Sequence, residues 1–196
     1  MKDSKFWIWF IPLFLITCVG LFILLSKNKE ENKPQDNRSD SIKIKEEYQK
    51  YNNESSYVSV ELSDNNAYKY SDNNKTKELL DSSDVIIFLG DPKNNASRKA
   101  IVSLNDAVVQ TSIPQIYYYD LTKIDDEFTN YLKGKFNVDK LFAGSTFAVQ
   151  KGNVLSYYYP EDLDNDKSLT DSEKSDLLSV YQNLISDFID ACDDNC

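Results

Sequence analysis

VIIFLGDPKNNASRKAIVSLNDAVV, residues 85–109, decides the fold. Its first five residues, Val85 to Leu89, form an apolar run with no polar face, the pattern of a strand covered on both sides. Gly90, Asp91 and Pro92 interrupt it. From Ser97 to Thr111 the period changes, and Ala100, Ile101, Leu104, Ala107, Val108 and Thr111 fall on one side at helical spacing. A buried strand, a loop and a helix with one face on the sheet are therefore expected here.

Outward from this unit the pattern continues. Tyr57 to Leu62 (YVSVEL) alternates apolar and polar residues and predicts a half-buried strand, and Lys75 to Leu80 a short helix. Ile116 to Tyr119 reads as a strand and Asp125 to Phe136 as a helix. Thr146 to Gln150 and Val154 to Tyr158 flank Lys151, Gly152 and Asn153, a hairpin turn in which glycine supplies the unusual backbone angle. Leu177, Leu178, Tyr181, Leu184, Ile185, Phe188 and Ile189 then make an apolar stripe at helical spacing, with Thr170 and Glu173 placed for a capping box at its start. The order β-α-β-α-β-α-β-β-α implies an α/β domain, a mixed sheet with helices on both faces.

Composition excludes several functions. The chain has 196 residues, a net charge of -10 and no histidine, so Ser-His-Asp and Cys-His catalysis and histidine-bound metals are excluded. Five scattered glycines supply neither GxGxxG nor a P-loop, and the acidic balance opposes nucleic-acid binding. No nucleotide and no cofactor is implied. Residues 1–5 form a short tail, and Phe6 to Leu25 is a chargeless run long enough to cross a bilayer. Cys18 lies inside that run. Trp7 and Trp9 at its start and Lys27 and Lys29 past its end suit interfacial anchoring. Residues 26–55 are polar and read as a flexible tether, although Ile42 to Tyr51 has the makings of a short polar helix. Residues 56–196 form the body, and the short leading tail favours a signal anchor that puts this body outside the cytoplasm.

Three segments resemble the thioredoxin-like family: VIIFLG (85–90) looks like its central strand, KAIVSLNDAV (99–108) like the helix after the redox loop, and GSTFAVQKGNV (144–154) like the segment closing the site. Membrane-anchored bacterial proteins of the bacteriocin-transport-accessory kind are the subgroup most similar in layout. The resemblance implies a thioredoxin-like sheet behind one transmembrane helix. It also implies a CxxC where this chain has Asn94, Asn95, Ala96 and Ser97, and a cis-proline where it has Ser145. A cis bond before a non-proline residue costs roughly 2.5 to 4 kcal/mol, so a trans bond is expected at Ser145. Both halves of the redox site are replaced. The expected function is a binding or accessory module for an envelope or secreted protein, its docking groove formed by Asn94, Asn95, Ser97, Arg98, Ser145 and Thr146.

The residues admit other readings. Asn94, Asn95 and Ser97 are also ordinary helix-capping types. Cys192 and Cys196, at C-x3-C spacing, stand close enough on a helix for a disulfide, which keeps a thiol-disulfide oxidoreductase as the alternative. Cys192 also extends the apolar stripe, while the flanking Asp190, Asp193 and Asp194 oppose a reactive thiolate. Asp162, Asp164, Asp166, Ser168, Thr170 and Glu173 fall on the ligand positions of an EF-hand loop, so a calcium-stabilised surface protein is a second alternative. Lys167 stands there in place of the turn glycine and no helix precedes the loop, so a solvated acidic loop leading into the Thr170 to Glu173 cap is the simpler reading. Tyr117, Tyr118, Tyr119, Tyr157, Tyr158 and Tyr159 offer either an aromatic binding face or simply good strand formers.

Overall fold

The computed structural model describes residues 36–111 and 113–193. The tail, the anchor expected at Phe6 to Leu25, Cys18, the first part of the tether and Cys196 lie outside the described residues. Among the described residues no helix is long and apolar enough to cross a membrane. From Arg38 onward the chain is one compact unit.

Ten main elements follow in order: α1 (Asp40–Gln49), β1 (Tyr68–Ser71), α2 (Asn73–Ser82), β2 (Val85–Gly90), α3 (Asn95–Val109), β3 (Ile116–Asp120), α4 (Asp126–Phe136), β4 (Thr146–Gln150), β5 (Asn153–Tyr158) and α5 (Asp171–Asp193). The sheet order is β1-β3-β2-β4-β5. Strands β1, β3 and β2 run parallel, whereas β4 is antiparallel to β2 and β5 to β4. The expected mixed sheet is present, with β2 at its centre and all six of its residues buried. Two apolar layers cover it. Ile44 and Tyr48 of α1, the inner face of α3, and Leu177, Tyr181, Leu184 and Ile185 of α5 pack on one side. Leu79 and Leu80 of α2 with Phe128, Leu132 and Phe136 of α4 pack on the other.

Local chemistry explains most boundaries. Asp72 caps α2 through the amide of Lys75, and Asp125 caps α4 through that of Phe128. Helix α4 then ends at Asn137, which adopts the left-handed conformation at φ 54°. The β4–β5 turn places Lys151 at φ 45° and Gly152 at φ 88°, two successive positive values that match the twist of a hairpin. Thr170 and Glu173 form the expected capping box, the Glu173 carboxylate accepting from the Thr170 amide at 2.7 Å and the Thr170 hydroxyl from the Glu173 amide at 3.3 Å. The Thr170 amide and the Thr170 hydroxyl, which donates to the same carboxylate oxygen at 2.8 Å, hold the Glu173 carboxyl below the usual glutamate range. Their contribution is therefore present above the ordinary glutamate pKa and is lost as the pH falls through the lowered one.

Two expectations are corrected. The tether does not extend to residue 55: Asp40–Gln49 is a helix whose Ile44 and Tyr48 are fully buried. A pair of apolar residues four apart suffices to bind a polar helix to a body that leaves a matching gap. The first strand is not Tyr57 to Leu62 but Tyr68–Ser71, which pairs with β3. The YVSVEL alternation is nevertheless real, since Val60 and Leu62 are buried while Ser59 and Glu61 are exposed. The segment is extended without joining the sheet because side chains meet its backbone instead. Asn52 takes both the amide and the carbonyl of Val60, each at 2.9 Å. Asn95 accepts from the amide of Val58 at 2.8 Å and donates to the carbonyl of Ser56 at 2.9 Å. Two carboxamides thus do the work of a neighbouring strand.

Candidate functional site

The loop after β2 and the start of α3 form the site singled out by sequence. Asn94 caps α3 by accepting from the amide of Ser97 at 2.9 Å. The Ser97 hydroxyl is fully buried, lies 2.6 Å from that of Tyr48 on α1, and accepts from the amide of Asp91 at 3.0 Å. Burial pushes the Tyr48 phenol well above its ordinary range, so it stays a neutral hydrogen-bonding group.

Arg98 is the largest fully buried side chain of the described residues. Its guanidinium donates to the carbonyls of Val58 (2.5 Å), Tyr48 (2.8 Å) and Pro92 (2.8 Å) and to Oδ1 of Asn52 (2.7 Å). None of these acceptors is a carboxylate. Four dipoles and the Tyr57 ring, 5.7 Å from the guanidinium carbon, face the cation. Desolvation lowers the Arg98 pKa, although arginine stays charged at any accessible pH.

Ser145 and Thr146 complete the set. The strand β2 carries this corner: the amide of Leu89 donates to the Ser145 carbonyl at 2.8 Å, and that of Gly144 to the Leu89 carbonyl at 2.6 Å. Gly144 has φ 88°, and a Cβ there would lie 3.0 Å from the Ser97 backbone, so this loop sits directly against the start of α3. Among the described residues no peptide bond is cis, and Ser145 follows a trans bond. Both hydroxyls are buried without a hydrogen-bond partner.

The six residues expected to line a docking groove are thus brought together, but turned inward. Only Asn94 retains partial exposure. The extended peptide lying across Asn95 and Arg98 is the chain's own residues 56–60, held there by the contacts given above. At this position the chain itself occupies the surface that a partner was expected to use.

The acidic loop departs from an EF-hand. Lys167 does not take the turn conformation, since Asn137 and Lys151 alone among described non-glycine residues have positive φ. Among the described residues no group of three or more acidic or sulfur ligands could hold a metal ion. A cation is present all the same: the Lys99 ammonium, 4% exposed, donates to the carbonyls of Leu163 (2.8 Å) and Asn165 (3.0 Å) and to Oδ1 of Asn165 (3.0 Å). Desolvation lowers its pKa, and Glu173, Asp164 and Asp166 pull it back up. Lys99→Met removes those three bonds with little change in length. It is expected to lower stability by about 1–2 kcal/mol, read in urea melts, and to speed amide exchange at Lys167.

Cys192 is half-buried near the end of α5 and packs against the main core, as its place in the apolar stripe suggested. Its proposed partner Cys196 lies outside the described residues. The six tyrosines divide. Tyr118 and Tyr119 are buried in opposite layers and Tyr158 packs edge-on against Tyr181 with centroids 5.4 Å apart. Tyr157 is 58% exposed and packs against Tyr159, just past the end of β5, with centroids 4.8 Å apart.

Sequence reasoning did not find Asn52, Tyr48 or Lys99. Each acts through a partner far away in sequence, and an asparagine in a polar stretch or a lysine on a helix carries no local mark of such a role. Arg98 was found, but as a surface group. The signal that it is internal was available in its position, three residues before Ile101 on the core-facing side of α3. No protein-family model matches the chain, and no curated protein is similar to it in sequence.

Proposed function

We propose that this chain is a membrane-tethered, extracytoplasmic thioredoxin-like domain without dithiol chemistry, serving as a binding or accessory module for an envelope or secreted protein. The strand order β1-β3-β2-β4-β5, with three parallel strands and a closing antiparallel hairpin, supports the family reading. The chargeless run Phe6 to Leu25 supports the membrane anchor. The observation that carries the loss of redox activity is the fate of Asn94, Asn95 and Ser97. A dithiol enzyme leaves a sulfur accessible at a helix N-terminus, where backbone amides stabilise its thiolate. Here the same turn presents an amide cap and a hydroxyl, both committed to internal hydrogen bonds. No electron-carrying group stands at that turn.

Insulin reduction by the full-length chain in a non-ionic detergent is expected to match the rate without protein. Cys192→Ser and Cys196→Ser are expected to leave it unchanged. Turnover abolished by either serine would establish the oxidoreductase alternative instead. Orientation is tested separately by Lys69→Cys in a chain whose native cysteines are serine. A membrane-impermeant thiol reagent should label Lys69→Cys in intact cells, and labelling only after lysis would place the domain in the cytoplasm. Crosslinking from membranes then identifies the partner.

A further inference from the structure

The end of α4, the loop that follows and the edge strand β5 enclose a cleft of about 490 Å³. Tyr157, Tyr159 and Phe142 form its aromatic wall. Their rings are inclined to one another, Tyr157 to Tyr159 at 43° with centroids 4.8 Å apart and Phe142 to Tyr159 at 58° and 6.1 Å. Both tyrosine rings also pack on the buried Phe147 ring, 6.4 Å from Tyr157 and 5.6 Å from Tyr159 between centroids. The Tyr159 hydroxyl is buried without a hydrogen-bond partner, so packing of the ring faces, and no polar bond, fixes this side chain. The rim carries two carboxylates, Asp139 and Glu161, both exposed. Neither forms an ion pair or a side-chain hydrogen bond among the described residues.

A cation already marks the chemistry of this wall: the Lys140 ammonium lies over the Phe142 ring, 4.7 Å from its centroid. The negative face of an aromatic ring attracts ammonium groups, and tyrosine does so as well as phenylalanine. Lys140 takes Phe142, and beside it Tyr157 is the exposed ring of the wall. Against one lysine stand two carboxylates, on a chain whose overall charge is -10. An anion is disfavoured by that balance, and a purely apolar ligand gains nothing from the two carboxylates.

We propose that this cleft binds an alkylammonium group, seated against its aromatic wall at the exposed Tyr157 and paired with Asp139 and Glu161. The group belongs either to a free quaternary ammonium compound or to a lysine side chain presented by a partner. The site depends only on residues 136–161 and stands apart from the thioredoxin-like reading. Lys140 occupies part of the same wall and repels a second cation, so it limits affinity. Its removal should strengthen binding, whereas loss of a merely structural lysine would weaken it or change nothing.

Saturation-transfer NMR on the full-length chain in a non-ionic detergent tests the proposal, with choline as one probe and Nα-acetyl-lysine methylamide as the other. 3,3-Dimethylbutan-1-ol, the neutral analogue of choline, is the control. Whichever probe binds more tightly identifies the source. Tyr157→Ala is expected to weaken binding at least about tenfold and Asp139→Asn with Glu161→Gln by about three- to tenfold, in line with a cation on desolvated rings. Lys140→Gln is expected to tighten it about threefold. Thermal melts of the Asp139→Asn with Glu161→Gln and the Lys140→Gln variants should match the parent, because these side chains are exposed. The proposal is overturned if neither cation binds, if the neutral analogue binds as well as choline, or if Lys140→Gln leaves binding unchanged or weaker. Binding of an N-acetylglucosamine oligomer in place of the cations would overturn it too, making the wall a sugar platform.

Discussion

Arg98→Ala is expected to destabilise the domain by about 3–5 kcal/mol, because buried acceptors lose a charged donor and a void replaces the largest fully buried side chain. The acceptors do not suffer equally. The Tyr48 carbonyl still receives the amide of Tyr51 at 3.3 Å, and Oδ1 of Asn52 still receives that of Val60 at 2.9 Å. The carbonyls of Val58 and Pro92 have no other donor among the described contacts. The two orphaned carbonyls, on buried Pro92 and half-buried Val58, cost up to about 1–3 kcal/mol each, and the void accounts for the rest. Arg98→Lys keeps the charge, but a single ammonium cannot reach four acceptors spread around a planar fork, so it should recover less than half. Urea denaturation of the full-length chain in a non-ionic detergent measures both. Hydrogen exchange adds the local consequence: the amides of Val58 and Val60 should exchange much faster in Arg98→Ala, as residues 56–60 lift from the start of α3. A loss below about 1 kcal/mol would show that the buried cation is not what holds this segment.

Gly90→Ala is expected to be at least as severe. A Cβ on Gly90 would lie 2.0 Å from Cε2 and 2.3 Å from Cζ of Tyr118, far inside contact distance. The glycine is required by this close approach, since its φ is one that any residue adopts. The ring has nowhere to retreat. It is fully buried, with Tyr70 at 5.4 Å, Phe88 at 6.0 Å and Tyr48 at 6.1 Å between centroids. Backbone and ring must therefore shift together on the central strand, and the upper range for overpacking, about 3 kcal/mol or more, applies. Tyr118→Leu in the same chain removes the colliding atoms. The double variant should be more stable than Gly90→Ala alone, with a coupling energy of about 2 kcal/mol or more in a double-mutant cycle. Additive effects would mean that the clash is relieved elsewhere.

The two variants probe the same corner from opposite sides. Gly90 lets the sheet pack tightly beneath Tyr118, and Arg98 fastens residues 48–60 above the start of α3. Between them the start of α3 is covered by the chain's own residues 56–60.

Apolar patterning determined that Val85 to Leu89 is a buried central strand and that α3, α4 and α5 are amphipathic helices, because each pattern reports which faces of one element avoid water, and the glycine at 152 marked the hairpin turn through its backbone freedom. The absence of histidine, the lack of phosphate-binding glycines and the missing CxxC likewise follow from composition. Only tertiary structure decided that Ile44 and Tyr48 belong to the core, that YVSVEL stays outside the sheet and that Arg98 and Lys99 point inward to carbonyl oxygens. The reason is physical: a backbone group or a buried cation needs some partner, and local pattern cannot say which. Val58 finds its partner 37 residues away in Asn95, and Lys99 finds its own 66 residues away in Asn165. Those pairings exist only after the chain has folded around them.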